Sequence, residues 1–351
     1  MTAASTVVTE AAVKALLNEQ TTVRVRPRYE GSNICTWIGF KHVNYMVEEA
    51  VLDHFRQVGM PARALYEEHG LGLDIVALDT RILHAFHMDD LAEAVVAPDT
   101  KAAKAAKAAK AGKAGKGGKG DDNTVALRVT INVERDGVVH KAVTAKVRVS
   151  LRIDTYLDSA GEVPAELARF AVARLGEQRE AEPRLPFDTE DGILDQLLEG
   201  KNAYGWTWHI PYPYCHFTER LQMSGYLRLM EEGKDRFVAD RGISIKTLLD
   251  DRRWIPVVPR SEITILDEAM MEEDLYITYE VEEVFKDFTY TSRMNFYVIR
   301  DGELLRTATG TIVHGYAVIR NRRDWSLENF DQRVLDAVNG DGIKGAAPRH
   351  W

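Results

Sequence analysis

Two short stretches of this sequence hold side chains suited to proton transfer beside a helix start. The first runs Lys41-His42-Val43-Asn44-Tyr45 and leads on to Glu48, Glu49 and Asp53. Val43, Met46, Val47, Ala50, Val51 and Phe55 recur at spacings of three and four, which makes one apolar helix face; Glu48, Glu49, Asp53 and Arg56 fall outside it. A histidine or carboxylate placed there can act as a general base if it reaches the reacting atom. The bland alternative is that such acids complement the helix dipole in solvent, and that a histidine at a helix start caps it or is satisfied in the core. The second stretch holds His216, Glu219 and Arg220, a possible base, an acid and a cation together, although Glu219 and Arg220 are as easily a surface ion pair. Cys35 and Cys215 each precede a helix, where a dipole can lower a thiol pKa. They lie far apart without partner cysteines, so neither a disulfide framework nor a thiolate zinc site is supported.

The chain that must position these residues has 351 residues, more than a usual single domain, so two domains of ordinary size are expected. Its net charge of -9 is moderate and spread out, and its apolar fraction is ordinary. These properties argue against disorder and against a nucleic-acid surface over the whole protein. No apolar run reaches membrane-spanning length, and Met1 to Thr9 lacks a basic region followed by an apolar core, so a soluble, cytoplasmic protein is the expectation.

Thr9 to Leu17 reads as a short helix, Thr21 to Arg26 as a strand, Leu71 to Phe86 as a β-rich run and Leu91 to Ala97 as a further strand. From Lys101 to Gly120 a lysine recurs every third residue among alanine and glycine; with no large apolar side chain, this tract reads as a solvated loop insertion that can also attract phosphate-rich polymers. Strands at Val125 to Arg135 and Val138 to Ile153 flank Asp136-Gly137, a hairpin signal. Glu162 to Arg179 and Gly192 to Leu198 read as helices of a connector. From Tyr204 the order recurs: a strand rich in aromatics (Trp206, Trp208), a helix from Arg220 to Val238, then four strands, the last two joined at Asp301-Gly302. One strand, one long helix and four strands, twice over, predict an internal duplication. Ser326 to Val338 reads as a capped helix before a glycine-rich tail.

His42-Val43-Asn44 resembles the Gly-His-Val-Asn signature at the helix start of 4-hydroxybenzoyl-CoA thioesterase-like acyl-CoA thioesterases, with Lys41 in place of the glycine. Tyr226-Leu227-Arg228 with Glu231 resembles the Tyr-Leu-Arg and later Glu of the same family, and Leu78 to Asp90 and Glu272 to Leu275 resemble its strand-entry turns. The resemblance implies an α+β chain, a double hotdog of two antiparallel sheets each wrapped around a long helix. Its parts would be residues 1–154 with the insertion at 101–120, a helical connector at 155–203, a second hotdog at 204–320, and a helix and tail at 321–351. It further implies a thioester hydrolase, without cofactor or metal, acting on an acyl-CoA or acyl-carrier protein, with neither nucleic acid nor membrane as partner, and forming a homo-oligomer.

The family aspartate, three residues before the glycine, is replaced by Ile38 in the first half and by His216 in the second. Other groups must therefore supply the chemistry. The resemblance places the polarising backbone N–H groups at His42 to Tyr45 and at Glu219 to Leu221. The candidate catalytic residues are His42, Asn44, Glu48, Glu49, His216 and Glu219, and the candidate substrate-binding residues are Lys41, Tyr45, Tyr214, Arg220 and Tyr226. Two other readings remain open. One is a hotdog dehydratase or enoyl hydratase, in which a histidine meets an acid such as Glu231 or Asp235; the other is an acyl-binding double hotdog without catalysis.

Overall fold

The computed structural model describes residues 8–100, 123–157, 161–177, 181–321 and 324–340. The lysine tract and the glycine-rich tail lie outside the described residues. The chain divides into two compact units, one of residues 1–27, 44–181 and 265–268, the other of residues 28–43, 182–264 and 269–351. Three helices open the chain, α1 (Glu10–Asn18), α2 (Phe40–Gln57) and α3 (Ala62–His69).

In the first unit β1 (Thr21–Val25), β2 (Leu71–Ile82), β3 (Ala92–Pro98), β4 (Val125–Arg135) and β5 (Val138–Ile153) form an antiparallel sheet in the order β1-β3-β4-β5-β2. Alternation along β4 turns Val125, Leu127, Val129, Ile131 and Val133 inward. Asp136 and Gly137 both take positive φ, 52° and 77°, the conformation that a two-residue hairpin with right-handed strand twist requires. All six apolar residues of the α2 stripe are buried. Val13 and Leu16 anchor α1, which Thr9 caps by accepting a bond from the Ala12 N–H.

The predicted helix over Glu162 to Arg179 does not form among the described residues. Residues 168–170 make a single tight turn, and β6 (Ala171–Val172) pairs in parallel with β5. Leu167, Phe170, Val172 and Leu175 are buried, Arg174 pairs with Asp267, and the Glu268 carboxylate accepts from the Leu175 N–H. Sheet-edge bonds and these side-chain anchors satisfy the backbone that a helix would have used. The later connector piece does form a helix, α4 (Ile193–Leu198).

The second unit contains β7 (Ala203–His209), α5 (Met223–Asp240), α6 (Ile245–Arg252), β8 (Trp254–Ile265), β9 (Asp274–Phe285), β10 (Thr289–Arg300) and β11 (Glu303–Arg320). Its sheet runs β7-β9-β10-β11-β8, the same sequence of pairings as the first unit. In both units a short helix that the residue pattern did not reveal follows the long one. Helix α5 comes close to the sheet: a Cβ at Gly233 would stand 2.7 Å from the Met294 Cε. The helix starts at Met223 rather than Arg220, because Leu221 is extended, bridging Cys215 and donating to the Ala269 carbonyl. The expected helix from Ser326 is instead a strand, β12 (Asp324–Glu328), paired with β11; α7 (Gln332–Asn339) begins after Asp331, which accepts from the Val334 N–H.

Candidate active site

The start of α2 carries the densest chemistry, and Glu30, Gly31, Gly39, Lys41, His42 and Glu231 all belong to the second unit. Gly31 ends a tight turn over residues 29–31, and its carbonyl accepts from the Gly39 N–H, so the loop folds back upon the helix entry. The His42 ring lies directly over Gly31: a Cβ there would be 2.7 Å from the His42 Cγ, so only glycine fits. From this position His42 Nε2 meets Glu30 Oε1 at 3.1 Å, while the ring itself is buried and the carboxylate exposed. Burial is the largest influence on His42 and lowers its pKa; the bond to Glu30 works against it, and Lys41 adds to it. The bond to His42 holds the Glu30 carboxyl below its ordinary range, with Arg228 and Arg28 acting in the same direction. The imidazole is thus kept neutral and oriented, the state of a general base.

Lys41, expected to contact substrate, reaches across to α5 and pairs with Glu231 at 2.7 Å. The other Glu231 oxygen lies 3.6 Å from where a Gly39 Cβ would stand, so this carboxylate borders the helix entry.

Further along α2, in the first unit, Asn44 is fully buried and its Oδ1 accepts from the Thr80 hydroxyl at 2.6 Å, tying helix to strand β2. Tyr45 and Glu48 are half-buried, Glu49 is exposed, and their spacing puts the three on one helix face.

The stretch before α5 forms a compact loop. His216 donates from its backbone to the Arg220 carbonyl at 2.7 Å, and Glu219 adopts a positive φ of 65°. The Thr218 hydroxyl lies 3.5 Å from His216 Nδ1, Arg220 is buried and Glu219 exposed. Tyr214 packs on Trp208 and lies beneath the Arg228 guanidinium, 5.6 Å from the ring centre. Tyr226 sits wholly inside, edge-on to Phe296. Burial pushes the Cys215 thiol up, and Glu219 adds to the shift, so it is not an activated thiolate.

Within the second unit the structure therefore brings His42 to Glu30 and Lys41 to Glu231. Sequence reading missed Glu30 and Thr80, both of which become partners only through folding; the Gly31 between Glu30 and His42 was the one local signal. Among the described residues no group of three or more histidine, cysteine or acidic side chains is arranged to hold a metal, and no helix is long and apolar enough to cross a membrane.

No family model matches the sequence, and no curated protein is similar enough to count as a relative. Solved structures do match. An oleoyl thioesterase from Lactobacillus plantarum aligns with a TM-score of 0.51 and 10% identity, covering 85% of this chain and 95% of that one. An acyl-ACP thioesterase from Bacteroides thetaiotaomicron aligns at 0.50 and 8%, covering 84% and 97%. The fold is that of the hotdog thioesterases. The 12:0-ACP thioesterase from Umbellularia californica aligns at 0.49 and 9%, covering 88% and 98%. At these identities the likeness is one of fold, and the hotdog similarity extends over most of the chain.

Proposed function

We propose that this protein is an acyl thioesterase, a tandem duplication of one hotdog unit, that hydrolyses a CoA or acyl-carrier-protein thioester. The observation that carries the reading is the His42–Glu30 pair at the start of α2. With Nε2–H donating to Glu30, Nδ1 holds the lone pair and takes a proton from water as the water oxygen adds to the thioester carbonyl carbon. The positive end of α2 favours the developing oxyanion, whereas the expected donors at His42, Val43, Glu219 and Leu221 already give their N–H groups to the Gly39, His216 and Ala269 carbonyls. Collapse breaks the C–S bond, and the thiolate leaves and is protonated, giving the free acid and thiol. Glu48 and Glu49 are the further acids of α2, and Lys41, pinned by Glu231, shapes the entry. A cytoplasmic homo-oligomer is the accompanying expectation.

The test is incubation of the purified protein with acyl-CoAs and acyl-carrier proteins of varied chain, following free thiol and enoyl absorbance together. Thiol release abolished by His42→Ala supports the hydrolase. Enoyl formation or loss without thiol release replaces it with a hydratase, and binding with neither replaces it with an acyl-binding module.

A further inference from the structure

Glu30 and His42 stand at the two ends of one tight hairpin, all of it within the second unit. The Gly39 N–H donates to the Gly31 carbonyl at 3.0 Å, Ser32 and Ile38 bridge antiparallel, and the Asn33 N–H donates to the Trp37 carbonyl at 2.7 Å. Asn33 also closes the tip with its side chain, whose Oδ1 accepts from the Cys35 N–H at 3.0 Å. These rungs tie the chain before Gly31, which carries Glu30, to the chain after Gly39, which enters α2 and reaches His42 three residues later.

The tip is a plug in the core of the second unit. Cys35 and Trp37 are buried in one apolar cluster with Ile255 of β8 and with Ala317 and Ile319 of β11, and Ile34 packs against the same cluster. The Trp37 ring also meets Trp325 of β12 edge-on, with centroids 5.2 Å apart. Between the two buried anchors Thr36 takes a φ of 113°. A β-branched residue is an outlier there, and such a backbone persists only where its surroundings over-determine it. An indole removes more apolar surface from water than nearly any other side chain, and its burial offsets that strain.

We infer that Trp37 is a positioning residue: by seating the hairpin tip in the core of β8 and β11 it holds the Glu30 carboxylate on the His42 imidazole. Its effect passes through the rungs at Asn33–Trp37 and Gly31–Gly39. With the tip released the rungs open, and Gly31 no longer lies beneath the ring. The carboxylate is exposed, so a released Glu30 exchanges the imidazole for water. Only the consequence for turnover rests on the hydrolase reading; the geometry of the pair does not.

Titration of His42 by its imidazole NMR signals, assigned by their loss in His42→Ala, tests this without substrate. In the parent, Glu30→Gln is expected to lower the His42 pKa, because the bond to Glu30 raises it. In a Trp37→Ala background the same change is expected to have no effect, which makes the two residues coupled through the pair. A role in stability alone leaves the Glu30 effect intact in a variant that folds. Trp325→Ala removes only the ring edge-on to Trp37, from an exposed strand. It is expected to diminish the Glu30 effect, and it decides the matter should Trp37→Ala fail to fold. An undiminished Glu30 effect in Trp37→Ala, or in Trp325→Ala where that variant decides, overturns the proposal. So does the lack of any Glu30 effect in the parent, since there is then no pair to position. Thioester turnover of the same proteins is the separate readout: coupling lost in Trp37→Ala with no turnover in any protein upholds the positioning and removes the hydrolase reading.

Discussion

Glu30 precedes His42 by twelve residues, yet its carboxylate meets the imidazole at 3.1 Å because the loop between them folds back over Gly31. This relationship orients the candidate base and raises its basicity against the larger, opposing effect of burial.

Replacing His42 by alanine should cut thioester turnover about a hundredfold or more, the usual contribution of a general base. Glu30→Gln removes the influence that raises the His42 pKa and leaves the burial that lowers it. The alkaline-rising limb of kcat/KM should therefore move to lower pH, with a lower plateau because the base is weaker. A pH–rate profile of the two variants checks both points; an unmoved limb in Glu30→Gln removes Glu30 from the site.

Gly31→Ala places a methyl group 2.7 Å from the His42 Cγ, so ring or loop must shift. A stability loss of about 1–3 kcal/mol is expected, the usual range for overpacking. Turnover should fall with it. Urea denaturation and kinetics on the same preparation separate the two effects.

Asn44 is expected to act through structure. Asn44→Ala leaves the buried Thr80 hydroxyl without its acceptor, at about 1–3 kcal/mol. Adding Thr80→Val removes the stranded donor and should recover part of the loss. A double-mutant cycle gives the coupling, and near-additive losses would show that the bond contributes little.

Lys234 should leave a mark on stability in alkali. Its pKa falls from 10.5 in the unfolded chain to about 8 in the fold, so between these values the unfolded state binds the extra proton and stability rises with pH. Below about 8 that contribution is gone. Lys234→Met should be more stable than the parent at neutral pH and should lack the rise. Melting temperatures between pH 7 and 10.5 measure it.

His54 carries the opposite end of the pH range. It is fully buried, bonded to the Thr21 hydroxyl at 2.7 Å, and its pKa is lowered by burial from 6.5. Stability should fall as acid protonates the unfolded chain first, starting near pH 6.5 and continuing down through the folded value. Denaturation at descending pH should show a shallower fall in His54→Gln.

The α2 stripe, the alternating strands and both Asp-Gly hairpins could be read locally, since each depends on a periodicity or a backbone preference that nearby residues supply. The order of one strand, a long helix and four strands was legible for the same reason. The connector helix was misread because amphipathic spacing over Leu167, Phe170 and Leu175 also arises when a segment presses separate anchors onto a sheet edge. The strand at Ser326 was misread because pairing with β11 is a long-range bond that local capping signals do not report. The sequence by itself determined which residues could act as bases, acids and donors. Only the tertiary structure decided their partners: Glu30 for His42, Glu231 for Lys41, Thr80 for Asn44 and the buried setting of Lys234 and His314. Charge state and hydrogen bonding are set by neighbours within a few ångströms, and loops and sheet pairings bring those neighbours together from distant parts of the chain.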